Sequence, residues 1–222
     1  MKIRCILSGL CLLLFACSKQ KSPDVPKSVP VTINGKAYET VVIGSQTWTS
    51  VNYDGPGGIA NPALNESVYG KYYTIDEATS ITLPEGWRIP TKNDFETLLR
   101  SQGTVTRQFG IITLDSLKSE RLRSTSNWVL PGNNASGFNA QPAGFGYAPT
   151  LTFTYVYGTA YFLSSTNEII DQQFPRNNTY ADLSVIGAPA LNKPLTLEEG
   201  AVIDTGIIRS YHSCTLRFVK DN

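Results

Sequence analysis

Asn34-Gly35 stands between two short strand-like runs, "VTI" and "KAYETVVI". An Asn-Gly pair accepts two successive left-handed backbone positions, so it closes a two-residue turn whose twist suits antiparallel strands. Gly44-Ser45 repeats the design ahead of "QTWTSV". Two such turns in quick succession confine this part of the chain to a small antiparallel meander. That meander places Trp48 in or near the core.

Helical punctuation follows. Thr74 with Glu77 three residues on reads as a capping box and opens a short helix at "TIDEATS". In "PEGWRIPTKNDFETLL", Pro90 biases Ile89 toward an extended backbone. Thr91 then caps, with Asp94 three residues later. Phe95, Leu98 and Leu99 recur on one helical face before Gly103 stops the helix. A weaker helix is predicted near "LDSLKSE". From about Asn127 the chain turns rich in Gly, Asn and aromatics, which predicts loops and short strands. The end, "SYHSCTLRFVKDN", alternates as one strand. His212, Cys214, Leu216 and Phe218 share an inward face, and Ser213, Thr215 and Arg217 share the other.

The N-terminus is of another kind. Lys2 and Arg4 precede a short apolar run from Ile6 to Phe15. A membrane-spanning helix needs roughly 20 apolar residues, so this run reads as a secretory signal. "LFAC" resembles a bacterial lipobox, with Leu14, the small Ala16, and Cys17 as the residue to be acylated. The expected organisation is a signal peptide over 1–16, lipidated Cys17 with a Pro- and Lys-rich tether over 17–30, and one domain over 31–222. The tether reaches at most roughly 40 Å at about 3.1 Å per residue. Ser18 after Cys17 favours the outer membrane, with the domain facing the periplasm or the cell surface.

Cleavage removes Lys2 and Arg4, leaving 17 of the 19 Lys and Arg against 18 Asp and Glu, a net charge of −1. There is no basic excess for nucleic acid. The expected membrane attachment is through the lipid. Of four cysteines, Cys5 and Cys11 leave with the signal and Cys17 is acylated, so Cys214 is the one remaining thiol. Without an internal disulfide the domain must rest on a hydrophobic core.

Seven segments occur in an order that resembles the Fibrobacter succinogenes major paralogous domain: "VVIGSQTWTSVNY", "YGKYYTIDEAT", "LPEGWRIPTKNDFETLL", "LKSERLRSTSNW", "NNASGFNAQPAGFGY", "AYFLSST" and "TLRFVKD". The family occurs in exported and lipid-anchored proteins, many from Bacteroidetes. More distantly, "WRIPTKNDFETLLR" and "LRFVKD" resemble formylglycine-generating-enzyme-like domains. That resemblance implies an α+β, C-type-lectin-like fold: two main short helices flanking small, irregular antiparallel sheets, with N- and C-terminal strands adjacent. The family resemblance also implies a Cys at the positions of Leu83 and Phe218, taken as a disulfide in typical members. Here both are large and apolar, so contact between Leu83 and Phe218 is expected to replace the crosslink. Burial of two such side chains is worth roughly 1.5–3 kcal/mol each, against about 2–4 kcal/mol for a disulfide.

Groups able to trade protons or electrons are scarce. His212 and Cys214 sit at i and i+2 of the final strand and could pair as an activated thiolate. The alternative is an inert core cysteine. The paired active cysteines of formylglycine-generating enzymes are missing. Asp76-Glu77 belongs to a helix N-terminus, and Glu198-Glu199 to a solvated turn. No motif for zinc, a P-loop or a nucleophile elbow occurs. Gly144 and Gly146 in "GFGY" are too sparse for a phosphate loop. The sugar-site triplets of calcium-dependent lectins are missing, with "QPA" at Gln141–Ala143 the nearest match.

Expected catalytic residues, metals and cofactors are therefore none. Aromatic and amide side chains remain, which grip glycans, peptides or protein surfaces. The candidate ligand residues are Asn133, Asn134, Tyr147, Tyr155, Tyr157 and Tyr161. "TLTFTYVY" also alternates, so Phe153, Tyr155 and Tyr157 could line one face of a strand instead. Leu83, Trp87, Pro90, Thr91 and Phe218 are assigned to scaffold. The expected protein is a lipid-anchored binding or adhesion module at the cell envelope that meets a surface glycan or protein. The alternatives are a structural subunit of a surface assembly and a His212/Cys214 thiol enzyme.

Overall fold

The computed structural model describes residues 27–108, 111–114, 116–147, 150–167, 178–184, 202–203 and 212–222. The expected signal peptide, Cys17 and most of the expected tether lie outside the described residues, as does Glu198-Glu199. In chain order the elements begin with β1 (Lys27–Ile33), β2 (Lys36–Ile43) and β3 (Gln46–Thr49). Next come α1 (Glu66–Tyr69), β4 (Tyr72–Tyr73), α2 (Ile75–Thr79) and α3 (Lys92–Gln102). They continue with β5 (Val105–Gln108), β6 (Ile111–Leu114), α4 (Ser116–Ser119), β7 (Phe145–Tyr147) and β8 (Thr152–Thr154). The last are β9 (Thr159–Asn167), β10 (Asn178–Ser184), β11 (Val202–Ile203), β12 (His212–Thr215) and β13 (Val219–Asp221). The fold is mixed and sheet-rich, with mostly antiparallel pairing and few helices.

The meander forms as its turns dictate. Asn34 and Gly35 take φ of 48° and 79°, the double left-handed turn that Asn-Gly accommodates. β1, β2 and β3 pair antiparallel in turn, and β13 adds to the open side of β3, with Val219 opposite Trp48. The expected adjacency of the first and last strands is corrected: they share one sheet but form its opposite edges, because β2 and β3 pair in between. β1 starts inside the stretch expected to be tether. Lys27 and Ser28 pair with Val41 and Thr40, and the Thr40 hydroxyl donates to the Val29 carbonyl at 2.9 Å. The register shifts between Ser28 and Val31, where Pro30 has no N–H to give.

The second sheet runs β5-β6-β11-β10-β9-β12-β7-β8, with β4 also paired to β12. β12 therefore holds β4, β7 and β9 at once. The expectation of one final strand with one buried face is corrected here. The chain breaks after Thr215 and resumes at Val219 in the other sheet, and Ser213, Thr215 and Arg217 are as buried as Cys214, Leu216 and Phe218. With partners on every side, the strand has no solvent face to give the polar residues.

Between the sheets lies an aromatic core. The Trp48 ring meets Phe95 at 5.3 Å and Phe138 at 5.5 Å, and Phe162 packs on both of those rings. α3 supplies Phe95, Leu98 and Leu99 to it. Its N-terminus is a complete capping box: Asp94 N–H donates to Thr91 Oγ1, and Thr91 N–H donates to Asp94 Oδ2 at 2.8 Å. Asp94 Oδ1 also accepts from Gln46 at 2.7 Å and Arg88 at 2.6 Å, tying the helix start to β3.

Arg217 bridges the break between β12 and β13 and is fully buried. Its Nε donates to Asn52 Oδ1 at 2.6 Å. Its terminal nitrogens donate to the carbonyls of Thr49, Phe138 and Asn139 at 2.8–3.0 Å. The guanidinium also lies 4.9 Å from the Phe138 ring centre and 5.5 Å from that of Phe162. Burial lowers its pKa to about 9, and it remains a cation at neutral pH. One side chain thereby ties the β12–β13 break to two other stretches of backbone, at 49 and 138–139.

Candidate functional site

The scaffold residues behave as structural posts. Thr91 caps α3, and the Pro90 carbonyl accepts from Ser165 N–H at 2.8 Å. Trp87 packs against the cluster that contains Phe218, with Lys220 Nζ at 5.9 Å from its ring centre. Leu83 packs against that same cluster, and Phe218 meets the Tyr53 ring at 5.2 Å. Cys214 is buried in this cluster too. Glu77 closes the α2 capping box and accepts from Gly58 N–H. Gln141 of "QPA" accepts from Ser124 and Asn127. Among the described residues no group of three His, Cys, Asp or Glu is placed to hold a metal ion.

The candidate ligand residues divide. Tyr147, Tyr155 and Tyr161 come together around Phe145 and His212. Phe145 is 5.9 Å from Tyr155, 5.2 Å from Tyr161 and 5.4 Å from His212. His212 is 6.0 Å from Tyr147, and Tyr155 is 6.3 Å from Tyr161. Tyr157 instead leans on Tyr69 of α1 at 6.4 Å. Asn133 and Asn134 lie apart, with amides engaged in their own loop: Asn133 Oδ1 accepts from Ala135 N–H, and Asn134 Oδ1 from Asn139 N–H.

The backbone explains the display. "TLTFTYVY" is not one strand, because β8 ends at Thr154 and the chain turns sharply. Phe153 faces inward onto Tyr72 at 4.8 Å. Leu151, Tyr155 and Tyr157 all take left-handed φ, at 52°, 57° and 69°. Such values cost a bulky L-residue roughly 1–2 kcal/mol each. The turn is held by Thr159 N–H donating to the Tyr155 carbonyl and Tyr157 N–H donating to the Pro142 carbonyl. Gly144 lets it approach: a Cβ there would stand 1.9 Å from the Thr154 carbonyl. That close approach is the work of the glycine in "GFGY". Tyr155 and Tyr157 end 55% and 48% exposed.

The model of the Fibrobacter succinogenes major domain matches residues 33–220. The chain belongs to this family. No curated protein and no solved structure matches the chain. In this member of the Fibrobacter succinogenes major domain family, Phe145, His212 and Tyr69 are site neighbours that sequence reasoning did not place. One signal for the region was in plain view: no Asp, Glu, Lys, Arg or His occurs from Ser124 to Asn167.

Proposed function

We propose that this protein is a lipid-anchored binding module of the cell envelope, with no catalysis, whose aromatic turn holds the ligand. The observation that carries this reading is the pair of exposed tyrosines on strained backbone at 155 and 157. Strain of this kind persists where the surroundings enforce it, and it concentrates at ligand clamps. Tyrosine offers a large amphipathic contact at low entropic cost. The lectin-like arrangement fits a scaffold in which both chain ends join one sheet while loops from the other sheet carry the display. The Leu83 and Phe218 side chains stand in for the crosslink of typical family members.

The test is an array of glycans, peptides and envelope proteins probed with the full chain in detergent. Binding that weakens in Tyr155→Ala supports the reading, and silence across all classes overturns it. Anchoring is tested separately: acylation in bacterial cells should vanish in Cys17→Ala. Co-purification of a stoichiometric protein partner would favour the assembly-subunit alternative. Rapid reaction of Cys214 with a thiol reagent in the folded chain would favour the thiol-enzyme alternative, and reaction after denaturation alone would oppose it.

A further inference from the structure

The charge-free stretch from Ser124 to Asn167 contains both the aromatic turn and the loop hydrogen-bonded to it. Its exposed side chains are hydroxyls, amides and apolar groups, among them Asn127, Val129, Thr152, Tyr155 and Tyr157. Val129 N–H donates to the Tyr157 carbonyl, so the 125–131 loop and the tyrosine turn form one continuous patch. Beside α1, Glu66 and Lys71 pair with each other at 3.6 Å, and the Arg123 guanidinium, 5.7 Å from the Trp128 ring centre, is buried. On the β12 side His212 stands against the cluster, facing Phe145 and Tyr147.

We infer that this face takes an uncharged glycan: a neutral polysaccharide or oligosaccharide without uronate, sulfate or phosphate. The inference rests on the binding-module reading above and narrows its ligand. A carboxylate, sulfate or phosphate brought onto this patch would lose water and meet no exposed cation among its described residues, a cost of several kcal/mol. Acidic glycans and nucleic acids are held by Arg and Lys forks, and this stretch has none. A neutral sugar presents apolar C–H faces and hydroxyls. The C–H faces suit tyrosine rings, and the hydroxyls suit Asn and Thr side chains, which both donate and accept. A neutral ligand also leaves no long-range charge to steer its approach, so ionic strength should matter little.

The experiment measures binding of the full chain in detergent to neutral β-glucan, mannan and xylan, beside polygalacturonate, a sulfated glycan and a set of charged peptides. Each is measured at low and high salt. The expected result is binding to at least one neutral glycan, unchanged by salt, and weakened about tenfold by Tyr155→Ala, equal to about 1.4 kcal/mol. Preference for an acidic glycan or a charged peptide, lost at high salt, overturns the inference and leaves the binding module standing. Neutral binding indifferent to both Tyr155→Ala and Tyr157→Ala removes this face from the account. No binding to any of these probes overturns the inference, and the binding reading falls with it when the envelope proteins of the array are silent too. Circular dichroism of each variant separates loss of the ring from loss of the fold.

Discussion

At the residue scale, Arg217 carries more of the structure than its place in the sequence discloses. It sits in "CTLRFVKD" where strand alternation assigns it to an outer face. The structure instead closes it among Asn52 and three carbonyls. Such a position is invisible locally, because its partners come from residues 49, 52, 138 and 139. Replacing it strands those acceptors without donors, each worth about 1–3 kcal/mol. Arg217→Met should therefore lower unfolding free energy by about 3–5 kcal/mol in urea titration. Arg217→Lys should recover a minor part, since one ammonium cannot span the fork. Near wild-type stability in Arg217→Met would contradict the bridging role. The opposite sign is expected at Leu151, which is exposed on left-handed backbone. Leu151→Gly should raise stability by about 1 kcal/mol, visible as a higher melting temperature.

At the scale of elements, legibility followed the range of the forces. The Asn34-Gly35 turn and both capping boxes are contacts within a few residues, and their sequence patterns named them correctly. α3 illustrates this: Thr91, Asp94, Phe95, Leu98 and Leu99 all sit where their spacing predicts. β1 and the last strand were less legible. β1 extends back to Lys27 because β2 offers it a partner, and the last strand divides because two sheets compete for it. From sequence the stretch after β8 stays open between a strand face and a displayed loop, because "TLTFTYVY" alternates and tyrosine favours strands. Contacts from Pro142 and Thr159 override that preference. Within α3, Thr91→Ala should cost about 1 kcal/mol. Asp94→Ala should cost about 2–4 kcal/mol, because its carboxylate also serves Gln46 and Arg88. Equal losses in the two variants would show that the tie to β3 contributes nothing.

At the scale of the whole molecule, buried phenols set an alkaline limit. Burial raises the pKa values of Tyr38, Tyr72 and Tyr73 above the ordinary tyrosine value of about 10. The folded state thus favours the protonated form. Its contribution is complete below about pH 10 and is lost as pH climbs through the raised values. The melting temperature should hold through neutral pH and fall steeply above about pH 10. Part of the tyrosinate absorbance should rise only as near-ultraviolet dichroism disappears. Full phenolate absorbance from a chain that keeps its dichroism would refute such burial.

The placement of β12 and β13 also governs timing. They follow every other described strand in the chain, yet one sits inside the larger sheet and the other completes the smaller. Until they leave the ribosome, neither sheet can close, and pairings so distant along the chain form slowly. A nascent polypeptide with that delay stays threadable until its last residues are made, which the export proposed above would require.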